Sequence, residues 1–145
     1  MYRHILIPTD GSELADHAVT NGLSLAKSLG AKVTVIIVEE SINPLPLAEH
    51  GAFQEFTKLA EQIKKHAASA LNGVANAAKQ VGVPCETIQV EDAQPYQAIV
   101  ATATDRGCDL IVMASHGRSG LSALVLGSVT SKVLTHAKTP VLVCQ

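Results

Sequence analysis

Aromatic side chains are scarce in this chain: no tryptophan, two tyrosines and two phenylalanines among 145 residues. Stacking platforms for single-stranded bases need more rings than that. A dominant charge is also missing. Eleven Lys and Arg stand against thirteen Asp and Glu, a net charge of −2, with no long run of either sign. Such a chain lacks the basic footprint of a nucleic-acid binder or of a protein held on an anionic membrane. No apolar run approaches the roughly 20 residues that span a bilayer. The N-terminal MYRHILIPTD has no secretory pattern, so the expected compartment is the cytoplasm. Three cysteines, Cys85, Cys108 and Cys144, lie far apart and form no C-x-x-C pair. They read as reduced thiols near strands rather than as a disulfide framework. The six histidines show no H-E-x-x-H or other zinc spacing, so no metal cluster is expected.

What is present is apolar and periodic. Hydrophobic residues make up 47% of the chain, enough to bury a core in one domain of residues 1–145. HILIP (4–8), KVTVIIV (32–38), PCETIQV (84–90), DLIVMA (109–114) and PVLVC (140–144) read as short buried strands. Between them lie helical patterns. Ser12 caps the first, in which Leu14, Ala15, Ala18, Val19, Leu25, Ala26 and Leu29 recur at helical spacing before Gly30. A long second helix runs from about Phe53 to Val81, with Phe56, Leu59, Ala60, Ile63, Ala67, Leu71, Val74 and Ala78 on its apolar face. Pro95 opens a third that reaches Arg106, and SVTSKVLTHA forms a short fourth. EESINPLPLAEHGA (39–52) reads as a loop. Strands that are apolar throughout, alternating with helices, predict a parallel sheet covered on both faces. Right-handed crossovers favour the doubly wound order 3-2-1-4-5.

In such a sheet, ligands bind beyond the carboxyl ends of the strands where the strand order reverses. The reversal lies between the first and fourth strands, whose exits are PTDGS and ASHGRSG. Gly117 and Gly120 can adopt positive φ and let the backbone approach a ligand. Gly127 and Ser128 precede the short helix, whose free N–H groups and dipole favour an anion. Two separated donor clusters suit a polyphosphate. The same glycines also suit plain turns, and Ser128 a plain helix cap.

The stretch Ala114, two residues, Gly117, nine residues, Gly127, Ser128 resembles the nucleotide-binding signature of universal stress proteins, Gly-x2-Gly-x9-Gly-Ser/Thr. The resemblance covers nearly the whole chain, including IPTDGSE, the β-branched second strand, DLIVMASHGRSG and TPVLV. It implies an adenine-nucleotide-binding, stress-associated, usually dimeric cytoplasmic protein, with ATP as the cofactor and Mg²⁺ carried by its phosphates. It also implies site residues. Val38 offers backbone groups to the adenine edge, while Pro8 and Met113 pack around the base. Thr9 and Asp10 lie near the ribose or a phosphate-bound cation. Ala114, Ser115, His116, Gly117, Arg118, Ser119 and Gly120 wrap the ribose and phosphates. Ser128, Val129 and Thr130, after Gly127, hold the phosphates. Ala114 departs from the signature, which has glycine there. Val38 and Met113 equally suit core packing, and Asp10 a turn. The resemblance further implies a homodimer through Val141, Leu142 and Val143 of the last strand. Binding of unidentified protein partners without ATP is the alternative.

Catalysis finds little support. No G-x-x-x-x-G-K-[ST] loop, G-x-G-x-x-G fingerprint or G-x-S-x-G elbow occurs, and PTDGSE is not the SGGxDS-like loop of adenylate-forming enzymes. Ser115 and His116 are neighbours in sequence, which does not establish a nucleophile–base pair. Any ATP hydrolysis is expected to be slow.

Overall fold

The computed structural model describes residues 1–41, 43–117 and 125–145, apart from the side chain of Leu47. Its strands are β1 (His4–Pro8), β2 (Lys32–Glu40), β3 (Cys85–Asp92), β4 (Leu110–Ala114) and β5 (Val141–Cys144). Its helices are α1 (Glu13–Leu29), α2 (Leu45–Glu49), α3 (Phe53–Val81), α4 (Pro95–Asp105) and α5 (Ser128–His136). All strand pairs are parallel, in the order β3-β2-β1-β4-β5. The expected doubly wound sheet is therefore the fold.

Alternation along the strands divides the core in two. Ile5, Ile7, Val33, Val35 and Val112 pack under α1 and α3. Leu6, Ile36, Ile111 and Met113 face α4 and α5. Each fully buried side chain of this kind contributes about 1.5–3 kcal/mol relative to exposure, so both faces must be covered. Helix α1 comes closest to the sheet at Gly22, where an added Cβ would strike the Ile7 side chain. Gly30 and Gly82 end α1 and α3 at φ of 66° and 77°, where a side chain would be strained.

Three expectations need correction. The segment 39–52 is not all loop: β2 continues to Glu40, and α2 forms with Pro44 as its cap and Pro46 in its first turn, where a missing N–H costs nothing. Strand β3 alternates between half-buried and exposed residues, because it is an edge strand. The apolar face of α3 is only half used: Ala67, Leu71, Val74 and Ala78 are buried, whereas Leu59 and Ile63 are exposed. A 29-residue helix is about 43 Å long, and the nine-residue β2 only about 30 Å, so the helix overhangs the sheet. No described helix is long and apolar enough to cross a membrane.

Candidate functional site

The crevice forms where β1 and β4 part at their carboxyl ends. Beyond Pro8, Thr9 N–H still donates to the Ile36 carbonyl at 2.9 Å. The chain then turns sharply. Thr9 Oγ1 accepts from Gly11 N–H and Asp10 Oδ1 from Ser12 N–H, at 3.2 and 2.9 Å. Ser12 Oγ in turn accepts from Ala15 N–H and starts α1. These bonds hold Asp10 at the crevice floor.

The opposite wall is the exit of β4. Ser115 is almost fully buried, and its N–H donates to the Cys144 carbonyl at 2.8 Å. The Ser115 carbonyl accepts from Gly127 N–H at 2.7 Å. That bond joins the two halves of the glycine signature: residues twelve positions apart in sequence meet at the neck of the loop. A Cβ on Gly127 would lie 2.9 Å from the His116 Cα, so the neck closes only around glycine. Thr130 Oγ1 donates to the Ala114 carbonyl at 2.9 Å and pins α5 to the end of β4. Its hydroxyl is thus a clasp, and only its backbone N–H faces the start of the helix. Helix α5 has no side-chain cap, and its first N–H groups, those of Ser128, Val129 and Thr130, have no acceptor within the helix.

A cavity of about 660 Å³ lies between these walls. It brings together Pro8, Thr9, Asp10, Val38, Met113 and Ala114 with His116, Gly117, Gly127, Ser128, Val129 and Thr130. Ser115 sits behind this lining, its Oγ 3.0 Å from His116 Nδ1. Arg118, Ser119 and Gly120 lie outside the described residues. The expected positive φ of Gly117 is not found. An added Cβ there would instead meet the Asp10 carboxylate and force it to shift. Ala114 occupies an ordinary strand position paired with Cys144, so the missing glycine imposes no backbone strain.

Sequence reasoning missed several wall residues. Ile36 and Ile99 deepen the apolar part of the cavity, and Glu40 stands at its rim. The phase of β2 could have found Glu40, since Ile36, Val38 and Glu40 recur at the strand period of two. Backbone phase agrees. Val33 N–H and Ser41 N–H donate to β3-side carbonyls, whereas the Ile36 carbonyl accepts from Thr9. Residues of even number therefore direct their peptide groups toward β1, which ends at Pro8. Those of Val38 point past that end into the crevice.

No group of three or more potential metal ligands occurs among the described residues. Cys108 lies on the far end of β4. Burial, followed by the charge of Asp109, pushes its thiol up to about 11, which keeps it protonated and unreactive.

Fold and crevice define a doubly wound α/β protein with a cavity at its switch point. The profile of the Universal stress protein family matches residues 1–145, and the chain belongs to that family. It is 34% identical to universal stress protein MJ0531 of Methanocaldococcus jannaschii, over 99% of this chain and 82% of the relative. The solved structure of MJ0577 from the same organism superposes with a TM-score of 0.81 at 31% identity, covering 99% of this chain and 95% of that one. A universal stress protein solved in complex with cAMP gives a TM-score of 0.70 at 26% identity, covering 99% and 97%.

Proposed function

We propose that residues 1–145 form one cytoplasmic, adenine-nucleotide-binding domain, a binding module or switch that takes ATP together with Mg²⁺ carried by the phosphates. The observation that carries this reading is the pairing of an apolar slot with an uncapped helix start in one cavity. Pro8, Ile36, Val38, Ile99 and Met113 supply surfaces for a flat base. The N–H groups of Ser128, Val129 and Thr130 supply donors for a phosphate chain, aided by the α5 dipole. Val38 would read the base edge through its backbone, and Asp10 would sit near the ribose or the cation. The cAMP complex of a relative supports the ligand class.

Asp10 and Glu40 are the charged side chains among the described residues of the cavity wall. A divalent cation carried by the phosphates would offset this negative wall. Any hydrolysis should be slow, since a site that holds ground state and transition state equally gives no acceleration. A second copy would pair with the exposed side of β5, where Leu142 is 44% exposed.

Native mass spectrometry of freshly purified protein, followed by calorimetric titration with ATP–Mg²⁺, tests the ligand. A co-purifying adenine nucleotide or a saturable titration is the expected result. In Gly117→Val the side chain would displace the Asp10 carboxylate, so affinity should fall at least tenfold while the thermal midpoint stays near wild type. Equal affinity in the folded variant would remove Gly117 and Asp10 from the site.

A further inference from the structure

Helix α3 carries an apolar row farther than the sheet reaches. Phe53, Phe56, Ala60 and Ile63, with Leu59 beside them, continue at helical spacing the row of Ala67, Leu71, Val74 and Ala78 that packs on β2 and β3. The sheet still touches α3 at Lys64, whose carbonyl accepts from Gln89 Nε2 of β3. Residues 53–63 extend about 16 Å beyond that point. Phe53, Leu59 and Ile63 are 54%, 52% and 39% exposed there, against 4% for Ala67. Helix α2 contacts α3 but does not cover them.

The strand ends beside this open face are acidic. Glu39 pairs with Glu91 and Glu40 with Asp92, side by side on β2 and β3. Glu39 and Glu91 lie on the α3 side, where Gln89 Nε2 also donates to Glu39 Oε1. Like charges next to each other on neighbouring strands weaken a sheet, and a cation beside them relieves the repulsion. Among the described residues none of the four carboxylates has such a cation; the ion pair of β3 is Glu86 with Arg106, at its other end. The lysines of α3 do not fill the gap. The 3.6-residue repeat puts Lys58 and Lys65 opposite the apolar row, and Lys64 on one flank is offset by Glu55 on the other. We infer that the overhang of α3 docks an amphipathic helix of a partner protein, its apolar stripe on Phe53, Phe56, Leu59 and Ile63 and its basic flank over Glu39 and Glu91. Spaced apolar anchors give such a contact its affinity, and the charges beside them set the partner. No nucleotide is needed for it. A second α3 would bring only the same mixed flanks, and an anionic membrane would be repelled by the acidic strand ends.

The test uses full-length protein and synthetic helices of about 14 residues with leucine at i, i+3, i+4 and i+7. One carries lysine at the remaining positions, one carries glutamate, and a third is the lysine peptide scrambled. Fluorescence anisotropy reads binding to wild type, Leu59→Ser/Ile63→Ser and Glu39→Gln/Glu91→Gln, each checked by circular dichroism and thermal melting. Wild type should bind the lysine helix about tenfold or more tighter than either other peptide, and less tightly as salt rises. Leu59→Ser/Ile63→Ser should lose about tenfold or more of that affinity. Glu39→Gln/Glu91→Gln should reduce the preference for lysine over glutamate to about threefold or less. Absence of binding to wild type, or equal affinity and preference in either folded variant, overturns the proposal. So does a chain mass that doubles at high concentration in wild type but not in Leu59→Ser/Ile63→Ser, which would give the face to a second copy. Vesicles of phosphatidylcholine and phosphatidylglycerol that bind wild type but not that variant would overturn it as well, and give the face to a lipid surface.

Discussion

At the scale of single residues, one buried histidine links this protein to pH. His4 is 7% exposed at the start of β1, and its Nε2 lies 2.8 Å from Thr34 Oγ1. Burial, then the positive charge of Lys32, lowers its pKa below the ordinary 6.5. The unfolded chain therefore binds more protons than the folded one between 6.5 and the folded value. Stability rises with pH across that window and is lost as pH falls through it. Asp109 acts lower. Burial works against its charge, but the N–H groups of His4, Arg3 and Asp109 itself outweigh that and hold it below 3.8. Its contribution is present above 3.8 and is lost only in stronger acid. Thermal melts from pH 7.5 to 5 should show a falling midpoint, and His4→Gln should flatten that slope. A wild-type midpoint independent of pH over this range would contradict the role given to His4.

Individual glycines show how far sequence reading reaches. Gly127 and Gly117 were legible as site residues because their spacing matches a known signature. The reasons for them were not legible. Gly127 answers to the His116 backbone and Gly117 to the Asp10 carboxylate, contacts made across a crevice that no local pattern encodes. Glu40 was missed for a related reason: that it borders the crevice shows only once the neighbouring strand is seen to stop short.

At the scale of elements, the buried strands were the most legible features. A parallel strand covered on both faces must be apolar at every position, and β1, β2 and β4 announce themselves in this way. The overhang of α3 was hidden, since helical periodicity runs on unchanged after the sheet beneath it ends. The contact of α1 with the sheet was equally hidden, because Gly22 reads only as a weak helix residue. Its missing side chain lets α1 settle on Ile7 and Val112. We expect Gly22→Val to cost about 1–3 kcal/mol through overpacking, despite the better helix propensity of valine. Urea unfolding would measure this, and a variant as stable as wild type would show that α1 can lift from the sheet without loss.

At the scale of the whole molecule, the uncovered edge of β5 sets the expectation for assembly. Val141, Leu142 and Val143 carry no lysine or proline to blunt pairing, and the strand's described neighbour is β4 alone. A two-fold contact lets one strand serve both copies. Beside this edge lies an apolar recess of about 340 Å³ lined by Tyr2, Leu25, Leu29 and Leu142. Light scattering at micromolar concentration should give twice the chain mass for wild type and the single mass for Leu142→Asp. A soluble wild-type monomer would rule this interface out, and a dimer that persists in the variant would move it elsewhere.

The bond from Gly127 N–H to the Ser115 carbonyl has a mechanical meaning for the molecule. It turns the segment between β4 and α5 into a ring with a fixed clasp. Strand and helix are thus tied to each other directly at the clasp, and not through the intervening chain alone. Ring closure grows more costly only with the logarithm of length. A longer segment between the same two clasp residues would therefore cost little extra to close.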